Sequence, residues 1–341
     1  MVIKAALVGY GAVAQKGHLP WYQRKAAVEL TAVVDPTERG RAVARHTLPD
    51  AAVFSRIEEL LDSKQVDFID ITAPPAAHIT LLRPTILAGI PVICEKPFVL
   101  SSLELREVST YRNLERSIIA ACHNWYYAPP FYQGLRIVHS GIIGDVRKVV
   151  FVAHRPGPSI GADNWNPVWR IHGSAGGGII GDLGCHGFYL ASRIFGKPPY
   201  AVTARSFQWS PDQDSAEISG VLELDYGLQQ RATISLDWTS AERTTMLEVQ
   251  GTLGAVVMTM ESVMVAVGDE QRPMERFASL SNDSWHAAWI GDTLDAFLEV
   301  VQGGDRASSW RDVCWNVPTL HAAYTSVRSG APVKVELPSD P

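Results

Sequence analysis

The chain has 341 residues, of which 46% are hydrophobic and 19% charged, so it is long enough to bury sizeable cores and to form two domains. Its formal net charge is -6 at pH 7 and its basic residues are scattered, which excludes the basic surface that nucleic acid or an anionic membrane requires. Apolar stretches are interrupted before membrane-spanning length, and the N-terminal apolar run is too short for a signal peptide. We therefore expect a cytoplasmic protein with no membrane or nucleic-acid partner.

The first third of the chain alternates short β-branched runs with segments that favour helix, which is typical of a parallel sheet built from βαβ units. Helices are predicted at Ala76–Ala88, which contains Pro84, and at Ser101–Arg112, where Ser101 and Glu104 have the spacing of a capping box. The predicted strands are Ile3–Val8, Glu29–Val34, Val66–Thr72, Pro91–Cys94 and Ser117–Ala121.

Later segments are longer and alternate in polarity, which is typical of antiparallel strands, and helices are predicted at Trp285–Val301 and Val313–Arg328. We therefore predict an α/β protein with a doubly wound parallel sheet in residues 1–122. Residues 123–341 are predicted to form a second α/β domain with a large, mostly antiparallel open sheet. The strands predicted in this second domain are Val146–Ala153, Ala201–Gln208, Glu217–Leu224, Gln229–Leu236, Met246–Gln250 and Ala255–Thr259.

A glycine-rich turn follows the first predicted strand directly. In a G-x-G-x-x-A turn, the first glycine permits a tight bend, the second lets a pyrophosphate approach the backbone, and the alanine lets helix and strand pack closely. Alone, such a turn serves simple packing about as often as it binds a cofactor. The turn consists of Gly9, Tyr10, Gly11, Ala12, Val13 and Ala14.

An acid at the end of the second strand favours the cofactor interpretation. Asp35 lies where a carboxylate accepts hydrogen bonds from the adenosine ribose of a dinucleotide, as in a Rossmann domain. Because a carboxylate repels a 2′-phosphate, NAD is preferred over NADP. Arg39 is near enough in sequence to reach the same pocket, so NADP stays an alternative cofactor. The alternative is that Asp35 is only a turn residue before Pro36.

Two further loops end strands at the same edge of the predicted sheet, where ligands of doubly wound sheets bind. One contains Thr72, Ala73 and Pro74, with His78 in the helix that follows. A lone histidine there caps a helix more often than it contacts NAD. The other loop contains Glu95, Lys96 and Pro97.

Three residues are candidates for catalysis. Lys96 could stabilise a developing alkoxide or polarise a carbonyl, although an isolated lysine is usually a surface residue. Asp182 and His186 follow a glycine run and share one face if their segment is helical, where an imidazole beside a carboxylate could act as a general base. The alternatives are a helix cap for Asp182 and a core position for His186.

A metal site is not predicted. Asp182, Cys185 and His186 could approach one ion, but no fourth ligand lies nearby. The four cysteines include no C-x-x-C pair and suit free thiols in a reducing compartment.

Taken together, these motifs make the chain resemble the glucose-fructose oxidoreductase / inositol dehydrogenase (Gfo/Idh/MocA) family. The resemblance covers nearly the whole chain, and the order and spacing of the motifs carry it. The matching segments are the Gly9–Ala14 turn, Thr72–Pro75 with His78, Ala88-Gly89, Cys94–Pro97, Ile143–Val146, Trp169-Arg170 and the glycine run through Asp182 to His186.

The resemblance implies a Rossmann domain and a second domain whose open sheet supports a homo-oligomer. It implies that His186 is the acid/base, that Asp182 orients it or binds a substrate hydroxyl, and that Lys96 assists at the oxygen. It also implies a cis peptide bond before Pro97. The residues that it implies near the nicotinamide or its ribose are Pro74, His78, Glu95, Lys96 and Asn124.

The sequence departs from the family pattern at Tyr189 and His172, where many relatives carry acids. Its second domain is rich in aromatic and basic residues, which suit the C–H faces of sugar rings and an anionic group of a substrate. The substrate-binding candidates are Lys96, Tyr126, Arg155, Trp165, Arg170, His172, Asp182 and His186.

We therefore expect an NAD(H)-dependent oxidoreductase that acts on a small polyhydroxylated substrate, a sugar, aminosugar or cyclitol. One alternative is a glycosidase that oxidises its substrate transiently and regenerates NAD. Another is a catalytically silent nucleotide or sugar sensor, which would have no need of the candidate lysine and histidine.

Overall fold

The computed structural model describes residues 2–63, 66–112, 117–158, 170, 177–210, 216–268, 270–277 and 285–338. These residues divide into two compact units. The first comprises the described residues of Met1–Asn124 and Trp285–Cys314, with Pro338. The second comprises those of Trp125–Ser284 and Trp315–Leu337.

A six-stranded parallel sheet forms the centre of the first unit, in the order β3-β2-β1-β4-β5-β6. This order, with β1 between β2 and β4, is that of a doubly wound Rossmann sheet, which confirms the predicted fold class. The strands are β1 (Ile3–Val8), β2 (Val28–Val34), β3 (Ala52–Phe54), β4 (Phe68–Ile71), β5 (Val92–Cys94) and β6 (Ile119–Ala121).

Helices follow the strands of this sheet. The helix after β5 begins at the capping box predicted for Ser101 and Glu104, and the helix after β4 accommodates Pro84. The helix after β1 begins with a π-helical turn, Ala14–His18. The helices are α1 (Leu19–Arg24), α2 (Glu38–Thr47), α3 (Ile57–Ser63), α4 (Pro75–Leu87) and α5 (Ser102–Tyr111).

The second unit contains a nine-stranded sheet in the order β14-β13-β12-β11-β7-β10-β9-β8-β15. Its neighbouring strands are antiparallel except for β7 and β10, which confirms the predicted mostly antiparallel sheet. The strands are β7 (Val146–His154), β8 (Ala201–Trp209), β9 (Glu217–Asp225), β10 (Arg231–Asp237), β11 (Thr244–Gly251), β12 (Gly254–Thr259), β13 (Ser262–Val267), β14 (Glu270–Arg276) and β15 (Val333–Lys334).

Four further helices complete the described chain, α6 (Pro129–His139), α7 (Cys185–Phe195), α8 (Ala287–Val301) and α9 (Arg306–Ser329). Ile290 and Phe297 of α8 join the core of the first unit, where the Phe297 ring lies edge-on to Phe68 at 5.5 Å. This helix lies in the first unit, whereas the predicted division assigned it to the second, because amphipathicity shows a buried face but not its partner. No described helix is long and apolar enough to cross a membrane.

Candidate active site

The glycine-rich turn after β1 has the conformation that its sequence requires. Gly9 has a φ of +91°, and a Cβ there would lie 2.8 Å from the backbone nitrogen of Ala73. At Gly11, a Cβ would meet no atom within 4 Å, and the residue is exposed. A dinucleotide phosphate therefore has open access to the backbone at Gly11, beside the start of a helix.

Asp35, at the end of β2, is hydrogen-bonded to the backbone of this turn. One of its carboxylate oxygens accepts from the Tyr10 backbone N–H at 2.7 Å. The other accepts from the backbone N–H and the hydroxyl of Thr37 at 2.8 and 2.6 Å. Asp35 is therefore a turn residue as well as the ribose-site candidate. Arg39 is exposed, and the arginine that reaches Asp35 is Arg41, which donates to its carbonyl at 2.9 Å.

Asp35→Asn is expected to weaken NAD binding about tenfold or more and to narrow the preference for NAD over NADP, because it removes a charged acceptor and its repulsion of a 2′-phosphate. Calorimetric titration with both cofactors measures this change. Glu29→Gln, an exposed acid on the same strand, is the matched control. Unchanged affinity for both cofactors would contradict the assignment of Asp35 to the ribose site.

Two loops on the same sheet edge are tied to this turn. Thr72 donates its hydroxyl to the Gly9 carbonyl at 2.6 Å. His78 is fully buried, and its ring nitrogens contact the carbonyl oxygens of Ala73, Pro97 and Phe98 at 2.9, 3.0 and 3.1 Å. The Lys96–Pro97 peptide bond is cis, as the resemblance implies. His78 thus links the two loops through its hydrogen bonds, and it exposes no surface to a cofactor.

Five polar side chains that the sequence does not predict as a group lie close together, and we call them the His18 cluster: His18, Tyr22, Asp70, Glu95 and Cys122. His18 lies at the end of the π-helical turn after β1 and is fully buried. Its Nδ1 lies 2.8 Å from Asp70 Oδ2 and its Nε2 lies 3.0 Å from Glu95 Oε1. Tyr22 donates to the same Asp70 oxygen at 3.0 Å.

The ligand atoms of His18, Glu95 and Cys122 all lie within 4.8 Å of one another, a spacing at which three side chains can share a metal ion. Burial raises the pKa of Cys122 to about 12, and the charge of Glu95 adds to the rise. The pKa of His18 is also raised. Both ring nitrogens of His18 lie against carboxylate oxygens, so in this arrangement the ring presents no free lone pair to an ion and the group does not suit a metal.

In the second unit, the glycine run leads into a π-helical turn, Ile180–Gly184, followed by α7. Gly178 has a φ of +114°, and a Cβ there would overlap the Glu217 carboxylate. Asp182 and His186, which the structure places on this turn and at the start of α7, are only 2% and 3% exposed. Both polar side chains are therefore held inside the unit.

The surroundings of these two residues are charged and aromatic. Arg170 pairs with Asp182, with 3.1 Å between Nε and Oδ1. The His186 ring stacks on Trp125, with 4.6 Å between centroids and 13° between planes. Arg155 lies over the same tryptophan, 5.8 Å from its centroid.

Arg155, a predicted substrate ligand, is 4% exposed, and its guanidinium donates to the carbonyls of His154 and Thr244 and to the Thr245 hydroxyl at 2.6–2.8 Å. Burial lowers its pKa to about 10, with the charge of Arg243 contributing. Arg155 therefore supports Trp125 from inside the unit.

Among the other predicted residues, Asn124 begins a 3₁₀ turn, Asn124–Tyr127, and is half-buried. Tyr126, also half-buried, lies against the rings of Tyr132 and Tyr189. Trp165 and His172 lie outside the described residues.

Glu217, at the start of β9, holds the helix that carries Asp182 and His186. Its carboxylate accepts from the Ile180 backbone N–H at 3.0 Å and bonds with the Tyr324 hydroxyl. Asn316 donates to the Cys185 carbonyl of the same helix at 2.8 Å. Burial raises the pKa of Glu217 to about 7. In the sequence, Glu217 is indicated only as an acidic residue at the start of a segment that alternates in polarity.

This pKa predicts a pH-dependent stability. Between the ordinary value of 4.5 and about 7, the folded protein holds a proton on Glu217 that the unfolded chain releases, so the free energy of unfolding falls as pH rises. The full fall is about 3 kcal/mol. The free energy of unfolding of Glu217→Gln is expected to rise relative to that of the wild type by this amount as the pH increases from about 4 to 8. Urea unfolding measures the difference. Glu223→Gln, exposed on the same strand, is the control, and a pH-independent difference for Glu217→Gln would contradict the assignment.

A doubly wound sheet with this glycine turn and a carboxylate after β2 defines a dinucleotide-binding protein. Comparison with known families specifies it further. Residues 3–118 match the model of an oxidoreductase family with an NAD-binding Rossmann fold. Residues 133–257 match the model of the GFO/IDH/MocA C-terminal domain. The chain belongs to the Gfo/Idh/MocA family of NAD-binding oxidoreductases, which confirms the resemblance and the cofactor.

Named relatives include sugar and cyclitol dehydrogenases. Inositol 2-dehydrogenase of Rhizobium meliloti is 25% identical over 97% of this chain and 98% of its own. D-glucoside 3-dehydrogenase of Escherichia coli is 24% identical over 98% and 97%. The crystal structure of GenD2 from gentamicin A biosynthesis, in complex with NAD, is 25% identical with a TM-score of 0.81, over 98% and 97%. The chain spans about half the length, 54–56%, of three fungal relatives that it matches.

Proposed function

We propose that this protein transfers a hydride between NAD and a carbinol or ketone carbon of a sugar, aminosugar or cyclitol. The observation that carries the proposal is the burial of Asp182 and His186 at the start of one helix, 2% and 3% exposed. Burying two ionisable groups side by side costs stability, and such groups are retained in proteins chiefly where they act in chemistry. The inositol and glucoside dehydrogenases among the relatives support the substrate class.

The residues of this chain fit the cofactor. The backbone around Gly11 is open for the pyrophosphate, and Asp35, at the end of β2, has the position of the acid that binds the adenosine ribose in Rossmann domains. When bound, NAD supplies the acceptor for the hydride that leaves the carbinol carbon. In the oxidative direction, His186 accepts the hydroxyl proton, Asp182 orients His186 or a substrate hydroxyl, and Lys96 stabilises negative charge on the oxygen. In reduction, the same groups return the proton.

The experiment is an absorbance screen at the NADH wavelength, in which NAD is offered with inositols, aminocyclitols, sugars and sugar phosphates. Reduction of NAD by one of these classes supports the proposal. Silence across the panel, with NAD bound, contradicts it and favours a glycosidase that regenerates NAD or a sensor. The cytoplasmic location and the homo-oligomer formed through the second sheet stay predictions, the latter tested by sedimentation.

A further inference from the structure

The His18 cluster joins neighbouring strands at the sheet edge where dinucleotides bind. Asp70 lies within β4, Glu95 directly follows β5 and Cys122 directly follows β6, and these three strands are adjacent in the sheet. The imidazole of His18 enters from the helix after β1 and bridges the two carboxylates. Burying charged groups is costly unless opposite charges are paired, and here one imidazole lies between two carboxylates.

The contacts define the charge of His18. Each ring nitrogen faces a carboxylate oxygen, an arrangement that is satisfied when both nitrogens donate and the ring is an imidazolium. Burial acts to lower the pKa of His18, but the charge of Asp70 and the hydrogen bonds to Asp70, Cys122 and Glu95 raise it well above its usual value. His78 is equally buried but faces carbonyl oxygens, and burial lowers its pKa. The carboxylates beside His18 therefore account for the opposite pKa shifts of the two buried histidines.

Glu95 connects this imidazolium to Lys96. Its Oε1 pairs with His18, and its Oε2 accepts the backbone N–H of Lys96 at 3.1 Å. Burial acts to raise the pKa of Glu95, and the hydrogen bond and charge of His18, followed by the charge of Lys96, lower it overall. One carboxylate thus holds the Lys96 backbone while it interacts with both cations.

We propose that His18 is a positioning residue for Lys96. By pairing with Glu95, His18 holds that carboxylate in place, and Glu95 in turn fixes the Lys96 backbone. The same pair offsets the negative charge of Glu95, which would otherwise attract the Lys96 ammonium more strongly. This inference rests on the proposed role of Lys96 at the substrate oxygen. Without His18, two carboxylates of the cluster lose their shared cation. The Lys96 ammonium is then drawn toward Glu95 and leaves the position that the reaction requires.

A double-mutant cycle tests the proposal with the substrate found in the screen. His18→Leu is expected to lower kcat about 10- to 100-fold with a much smaller change in KM for NAD, and His18→Gln, which retains one donor, is expected to restore part of it. In a Lys96→Ala background, His18→Leu is expected to have no further effect. Tyr22→Phe, which removes a hydrogen bond from Asp70 but leaves the Glu95 pair, is the matched control.

The outcomes separate this inference from the proposed function. Full turnover by Lys96→Ala contradicts the role of the lysine itself. Slow Lys96→Ala turnover that His18→Leu slows further, by the same factor as in wild type, overturns the positioning role alone. A measurement on the wild type needs no variant to fold: 15N-histidine NMR is expected to show His18 protonated on both nitrogens at neutral pH. A neutral His18 ring at neutral pH would also overturn the proposal.

Discussion

His186→Ala is expected to lower turnover by about 10²- to 10⁴-fold, the usual contribution of a positioned general acid or base. The His186 ring is 3% exposed and stacked on Trp125, so its position is fixed before a substrate binds. Affinity for NAD is expected to stay nearly unchanged, because the glycine turn and Asp35 belong to the other unit. Steady-state kinetics and NAD titration of the same preparations measure the two quantities.

The control for this variant is His139→Ala, an exposed histidine at the end of α6. Added imidazole is expected to restore part of the turnover of His186→Ala, since the missing proton acceptor is then supplied from solution. Comparable loss of turnover and of NAD affinity would show instead that His186 is a structural residue.

Gly9→Ala is expected to produce the largest loss of NAD binding. A Cβ at Gly9 would lie 2.8 and 2.9 Å from the backbone nitrogen and Cα of Ala73, and the φ of +91° is unfavourable for alanine. Backbone atoms yield less readily than side chains, so we expect a cost of roughly 2–4 kcal/mol in the free energy of unfolding. Urea unfolding and NAD titration measure the two effects.

Gly89→Ala isolates the conformational part of this cost. Gly89 also has a positive φ, +71°, but a Cβ there meets no atom within 4 Å. We expect it to lose only about 1–2 kcal/mol and to bind NAD normally. Equal behaviour of the two variants would show that the contact between Gly9 and Ala73 has no part in forming the cofactor site.

The sequence predicts the parallel sheet well because its strands are buried on both faces and read as short β-branched runs. It does not predict β3, β13, β14 or β15. The segment of β14, Glu270–Arg276, is polar and contains Pro273, so neither composition nor alternation indicates a strand. Its pairing with β13 depends on tertiary context.

The candidate site is predicted where a motif is local and missed where contacts are distant. The Gly9 turn and Asp35 belong to one βαβ unit, whereas Glu217 meets Ile180 and Tyr324 only through the fold. Asp70 offers one overlooked signal, an acid within the otherwise apolar strand Phe68–Ile71. A buried strand does not retain a carboxylate without a partner, and here the partners are His18 and Tyr22.

The central claim, hydride transfer between NAD and a polyol carbon, is tested most directly with substrates deuterated at their ring carbons. The protein is incubated with NAD and each deuterated member of the panel, and the nicotinamide is analysed by mass spectrometry. We predict that one class of substrate transfers its deuterium to NAD, and that the transfer is far slower with the His186→Ala variant. NAD that binds but never acquires deuterium from any member of the panel would contradict the account.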